Sequence, residues 1–292
     1  VTNVQRQSYP YWFLLPAFAI FALMFLVPTG TGIFYSFTDW NINTEKINFV
    51  GLQNYRDLFK DIKLVAALWH TLVYAFSVTL LRNAIGLGLA LLLNTKVKFR
   101  GLFRTVFFLP YMISPIIIGY LFTAIYHPAN GLLNGVLRLV GLKFMAVDWL
   151  NDPRYALLST IFVDVWRTAG FSMVIYLAGL QMIPTELFES ASLDGARYPQ
   201  TFRYITFPLI APSLTINLTL SLIGTMKVFV MILVLTNGGP GYATEVINTY
   251  VMTSFSLGLY GQGTAANMLL TLLIVLIGFP VLVLLRKREV AL

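Results

Sequence analysis

The chain has 292 residues, of which 58% are hydrophobic and only 11% charged, with a net charge of +8, a mean hydropathy of +0.76 and no cysteine. About a quarter of the residues in a soluble globule are charged, so this composition excludes one and describes an integral membrane protein; the missing cysteine excludes disulfides and thiolate metal or redox sites. The positive charge needs no nucleic acid to explain it, because Lys and Arg flanking membrane segments account for it.

A membrane span takes about 20 mostly apolar residues, and such runs lie at 12–35, 71–94, 105–126, 155–181, 213–236 and 264–285. They predict six helices, since lipid offers no partner to open backbone groups and these runs far exceed a barrel strand. The first run is too long, and too continuous with the rest of the chain, for a cleaved signal peptide, so it reads as a span. Beyond it, Leu52, Tyr55, Leu58 and Phe59 form an amphipathic face suited to the outer membrane interface. His70 and His127 sit near span boundaries without a second His at ligand spacing, which reads as interfacial placement rather than a metal or catalytic site. Arg6, Lys96, Lys98, Arg100, Arg104, Arg197, Arg203 and the Arg286-Lys287-Arg288 tail outnumber the cations of the alternate loops, placing both termini in the cytoplasm. Asp148 and Asp152, flanked by Trp149, Leu150 and Pro153, read as an interfacial turn rather than a carboxylate pair for sugar chemistry. The whole of 1–292 reads as one domain.

Between the fourth and fifth runs lies the polar segment 183–212. Leu187, Phe188 and Ala191 share one stripe of a short helix over 185–193, and Glu186 and Glu189 favour the positive end of its dipole. Asp194-Gly195 breaks it, with Asp194 able to cap a second helix that takes Pro199 in its first turn and stops at Pro208. No Lys in the chain follows a Gly, so a phosphate-cradling P-loop is absent, and the Gly-rich 238–241 run is a turn.

Glu189, Ala191, Asp194, Gly195, Ala196, Gln200, Phe202, Ile205, Thr206, Pro208 and Pro212 resemble the EAA loop of ATP-binding-cassette (ABC) importer permeases. Ser190 replaces one Ala of that pattern, and Pro199 stands where relatives often carry a bulky aromatic. The resemblance implies an all-α membrane protein, a six-helix bundle of the type I ABC importer permease kind. It implies that Glu186, Leu187, Phe188, Glu189, Ala191, Asp194, Gly195 and Ala196 couple the chain to an ATPase. The implied partners are two copies of that ATPase, which hold ATP and magnesium, a second homologous permease and an extracytoplasmic substrate-binding protein. No catalytic or metal site is implied on this chain, and its place is the bacterial inner membrane.

Residues 49–59 and the 235–244 stretch through Asn237-Gly238-Gly239-Pro240 are similar to the external loops of carbohydrate-type permeases. In the maltose-type members of that group, the helices on either side of the EAA loop line the sugar site. The matching positions are Arg167, Thr168, Phe171, Ser221, Gly224, Thr225 and Val228, although Phe171, Thr225 and Val228 depart from the residues of maltose binders. A ring plane and hydroxyls suit a sugar, and small polar residues serve equally as glue between helices. Arg82, Arg167 and Lys227 against Asp164 point to an anionic sugar as an alternative; snorkelling or pairing with partner groups accounts for the same cations. An ion-coupled carrier requires inverted repeats and a carboxylate relay, which a single Asp164 in the spans does not supply.

Overall fold

The computed structural model describes residues 11–95, 97–287 and 289, so Arg6, Lys96 and Arg288 of the charge asymmetry lie outside the described residues. Four unbroken helices are long and apolar enough to cross a membrane: α1 (Trp12–Tyr35), α3 (Ile62–Leu93), α7 (Ala156–Gln181) and α13 (Tyr260–Arg286). Two bent pairs complete six crossings, α4 (Arg100–Met112) with α5 (Pro115–Ile125) at 96°, and α9 (Tyr198–Leu209) with α10 (Ala211–Met226) at 66°. Shorter helices fill the connections: α2 (Gln53–Lys60), α6 (Leu132–Leu139), α8 (Thr185–Leu193), α11 (Val230–Leu235) and α12 (Ile247–Ser256).

Local chemistry explains where the spans depart from simple apolar runs. The third run predicts a continuous helix, but Ile113 and Ser114 are extended and turn the chain; the residue before a proline is pushed out of the helical region, and Pro115 then opens α5. The second run starts earlier than its apolar core, at Ile62, because Asp61 caps α3 by accepting a 2.9 Å hydrogen bond from the Lys63 N–H. The fifth run, expected through 236, stops at Met226 and resumes as α11, with Lys227 exposed at the break. Neither proline nor glycine lies within the break at 227–229.

Four helices meet in the larger buried cluster. Tyr74 and Val78 of α3, Ile118 and Phe122 of α5, Val163 and Val165 of α7, and Met231 and Ile232 of α11 share one apolar cluster. A second cluster at the other end joins Ala90 and Leu93 of α3 to Tyr176, Leu177 and Leu180 of α7, with Ile183 and Ile210. A polar seam crosses between them: Tyr176 Oη donates to Asn83 Oδ1 at 2.6 Å, Asn83 Nδ2 to Ser221 Oγ at 3.1 Å, and Ser172 Oγ to Asn217 Oδ1 at 3.2 Å. Hydrogen bonds of this kind hold helices in lipid at roughly 0.6–2 kcal/mol each. Helix α4 lies close on α7 at Gly170, where a Cβ would collide with the Phe107 carbonyl.

The expected amphipathic face of α2 divides. Leu58 is fully buried with Leu64, Ile247 and Ala265, while Leu52 and Phe59 remain exposed. Protein rather than the membrane interface therefore covers the Leu58 side. The apolar surface of α1 is exposed along its length.

Candidate functional site

Helix α7 places Asp164, Arg167, Thr168 and Phe171 at i, i+3, i+4 and i+7, on one face. Arg167 donates to Asp164 Oδ1 through Nε at 3.2 Å and Nη2 at 2.9 Å, and Tyr74 Oη donates to Asp164 Oδ2 at 3.0 Å. This face looks into a cavity of about 630 Å³, closed on the other side by Gly224, Thr225, Lys227, Val228 and Phe229 at the broken end of α10. Because α10 stops at Met226, backbone turns there and the cavity has a wall that a continuous helix would not provide.

Of the residues matched to the sugar site, Arg167, Thr168, Phe171, Gly224, Thr225 and Val228 line this cavity. Ser221 lies elsewhere: it is 0% exposed and accepts from Asn83 within the polar seam. The hydroxyl hydrogens of Thr168 and Thr225 go to the Asp164 and Ser221 carbonyls at 2.6 and 2.8 Å, so toward a ligand these residues offer lone pairs. Tyr111, which no pattern in the sequence singles out, stacks on Phe171 with ring centroids 4.6 Å apart and planes at 22°. The packing of α4 along α7, close at Gly170, brings it there, and no local pattern carries that signal. The guanidinium of Arg82 lies 5.9 Å from the Phe171 ring centre and that of Arg167 lies 5.9 Å from the Tyr111 ring centre.

The second candidate surface is the 183–212 segment. Helix α8 ends in a left-handed Gly195 (φ 74°), with the Gly195 N–H on the Ser192 carbonyl at 3.1 Å and the Ala196 N–H on the Ala191 carbonyl at 2.9 Å. These are the two bonds of a Schellman motif, which requires a residue free to adopt positive φ. Two local expectations are corrected. Asp194 does not cap α9; the Gln200 side chain does, accepting from the Arg197 N–H at 2.7 Å. Pro208 does not stop α9, because the preceding turn, Phe202–Thr206, widens to a π-helix and the bend falls at Ile210.

Glu186, Leu187, Glu189, Asp194 and Gly195 of this segment are exposed and Ala196 is half-buried. Ala191 is buried and Phe188 packs on the Tyr176–Ile210 cluster, so the three-residue stripe does not face outward as a unit. Leu193, 90% exposed, is the outward apolar residue that periodicity does not identify. Phe188 and Ile210 thus tie the polar segment to the ends of α3 and α7.

On the other side of the bundle, Asp148 accepts from the Asn151 N–H at 3.1 Å and Asp152 pairs with Arg154 at 2.8 Å, holding a tight turn. Thr244 Oγ1 donates to the Gly239 carbonyl at 2.7 Å and pins the 237–241 turn. Glu245 beside it is buried, and burial pushes its carboxyl above the ordinary value of 4.5 against the smaller opposing effects of Thr249 and Lys63.

Three comparisons fit this architecture. The probable ABC transporter permease protein YurN of Bacillus subtilis is 38% identical over 264 residues, covering 89% of this chain and 90% of its own. The trehalose/maltose transport system permease protein MalF of Thermococcus litoralis is 34% identical over 265 residues, covering 90% of this chain and 89% of its own. A chain of a bacterial alginate ABC transporter, crystallised with an alginate pentasaccharide-bound periplasmic protein, superposes with a TM-score of 0.81 at 26% identity, covering 93% of this chain and 91% of that one. The family described as binding-protein-dependent transport system inner membrane component matches residues 82–289. ATP hydrolysis in such systems lies on separate subunits, consistent with the absent P-loop, and the chain belongs to this family, the membrane-spanning permease subunits of ABC importers.

Proposed function

We propose that this permease forms part of the translocation path for a sugar or oligosaccharide handed over by an external binding protein. The observation that carries the reading is the cavity of about 630 Å³ in which Thr168, Phe171, Gly224, Thr225 and Val228 converge from the helices flanking the polar segment. The stacked Tyr111–Phe171 pair offers an apolar plane to the C–H face of a pyranose, and the cavity's hydrogen-bonding groups serve its hydroxyls. The names of the trehalose/maltose and alginate relatives support the same class of substrate.

In this reading a second permease covers α1 and two ATPases, carrying ATP and magnesium, engage residues 183–212 from the cytoplasm, where both termini also lie. Glu186, Leu187, Glu189 and Leu193 form the surface offered to the ATPase; Asp194, Gly195 and Ala196 form its rigid corner; Phe188 and Ala191 hold that surface to the bundle. Closure of the ATPases pushes this segment, and the packing of Phe188 on the cluster that holds Ile210 and the ends of α3 and α7 passes the motion to those helices. ATP-dependent uptake by proteoliposomes of the assembled complex tests the reading: saccharides are imported while amino acids are not, and import of amino acids in their place would reject it.

A further inference from the structure

The charge lining the cavity is unbalanced. Arg82, Arg167 and Lys227 face it together with a single carboxylate, Asp164. Arg167 occupies Asp164 Oδ1 and Tyr74 occupies Oδ2, so Asp164 already serves one cation and one hydroxyl. Among the described residues neither Arg82 nor Lys227 forms an ion pair.

Arg82 is only 7% exposed, and its position rules out escape to the membrane surface. It lies eleven residues before the end of α3 at Leu93, about 16 Å along the axis at 1.5 Å per residue, beyond the reach of a snorkelling side chain. Its Nε donates to Ser172 Oγ at 3.2 Å, and that hydroxyl donates to Asn217 Oδ1 at 3.2 Å. The guanidinium is therefore held at one edge, while among the described residues its two terminal amino groups have no hydrogen-bond partner. A buried cation of this kind in a membrane interior is costly unless an anion joins it. Among the described residues, the side-chain donors of the cavity left without a partner are these cationic N–H groups and the Tyr111 hydroxyl.

We propose that the saccharide carried through this cavity is acidic, its carboxylate or phosphate group received by Arg82 with Lys227 nearby. The inference rests on the reading of the cavity as a sugar path. A guanidinium fork matches the oxygens of either anion, and Arg82 lies over the Phe171 ring, 5.9 Å from its centre. One pyranose can thus rest on the aromatic pair with its acidic group at Arg82. Arg82 is on this account a specificity residue, positioned by Ser172 and Asn217.

The test is uptake by the full complex, in proteoliposomes with ATP inside, of three probes: trigalacturonate, glucose 6-phosphate and maltotriose. One acidic probe is expected to enter faster than maltotriose, and which one enters distinguishes carboxylate from phosphate. Arg82→Gln and Lys227→Gln, in complexes that retain all subunits, should lower uptake of that probe; Arg82→Gln by about ten- to a hundredfold, as for a lost charged hydrogen bond. Because Lys227 is exposed, its variant decides the matter where Arg82→Gln fails to assemble. Import of maltotriose and neither acidic probe overturns the inference and leaves the sugar reading standing. Equal effects of Arg82→Gln on maltotriose and the acidic probes, or none on either, also overturn it. Import of no saccharide rejects the sugar reading itself.

Discussion

At the scale of single residues, the interior is organised by polar side chains rather than by apolar fit alone. Asn83 uses its carbonyl oxygen for Tyr176 and its amide for Ser221 and the Thr79 carbonyl, so one side chain of α3 touches both α7 and α10. Glu245 is the contrasting case, a buried carboxyl in the 237–246 loop that burial pushes above 4.5. A carboxyl whose pKa is higher when folded binds its proton more tightly in the folded state. Its neutral form is indifferent below the unfolded value, and stability is lost as pH rises from there through the folded value. Thermal melting of the detergent-solubilised protein should therefore show Glu245→Gln matching wild type in acid and exceeding it at pH 7; a variant less stable than wild type at pH 7 would contradict this.

At the scale of elements, the shape of the 183–212 segment depends on its corner. Gly195 at φ 74° cannot be replaced by proline, whose ring holds φ near −65° and whose nitrogen lacks the hydrogen now donated to the Ser192 carbonyl. Gly195→Pro should abolish uptake, with strain of roughly 1–3 kcal/mol or more confined to the corner, and leave the amount of membrane-inserted protein unchanged. Normal uptake by the variant would remove the corner from the mechanism. Helix α8 is legible in the sequence to its ends, because Glu186, the apolar spacing and Asp194-Gly195 all act locally. The bend at Pro115 is also within reach of local rules. The stop at Met226 and the arrival of Tyr111 beside Phe171 are not, since both depend on packing between α4, α7 and α10 that no short window contains. For the same reason the sequence could list Ser221 among ligand-facing positions, while Asn83 takes it into the seam.

At the scale of the whole molecule, long apolar runs dictate the six crossings, yet two of them are bent and each bend has a use. The 96° turn at Ser114 lets α4 follow α7 while α5 packs with α3 and α11, and the 66° turn at Ile210 sets the polar segment against the ends of α3 and α7. The central claim is that this chain moves a substrate without an energy source of its own and receives the work through residues 183–212. Purification of the tagged chain from its native membranes, with ATP hydrolysis assayed on the eluate, tests it directly. An ATP-hydrolysing partner should elute with the wild-type chain and be lost when Glu189→Lys and Leu193→Asp are combined on the exposed side of α8. Elution of the chain alone, or retention of the ATPase by the double variant, would contradict it.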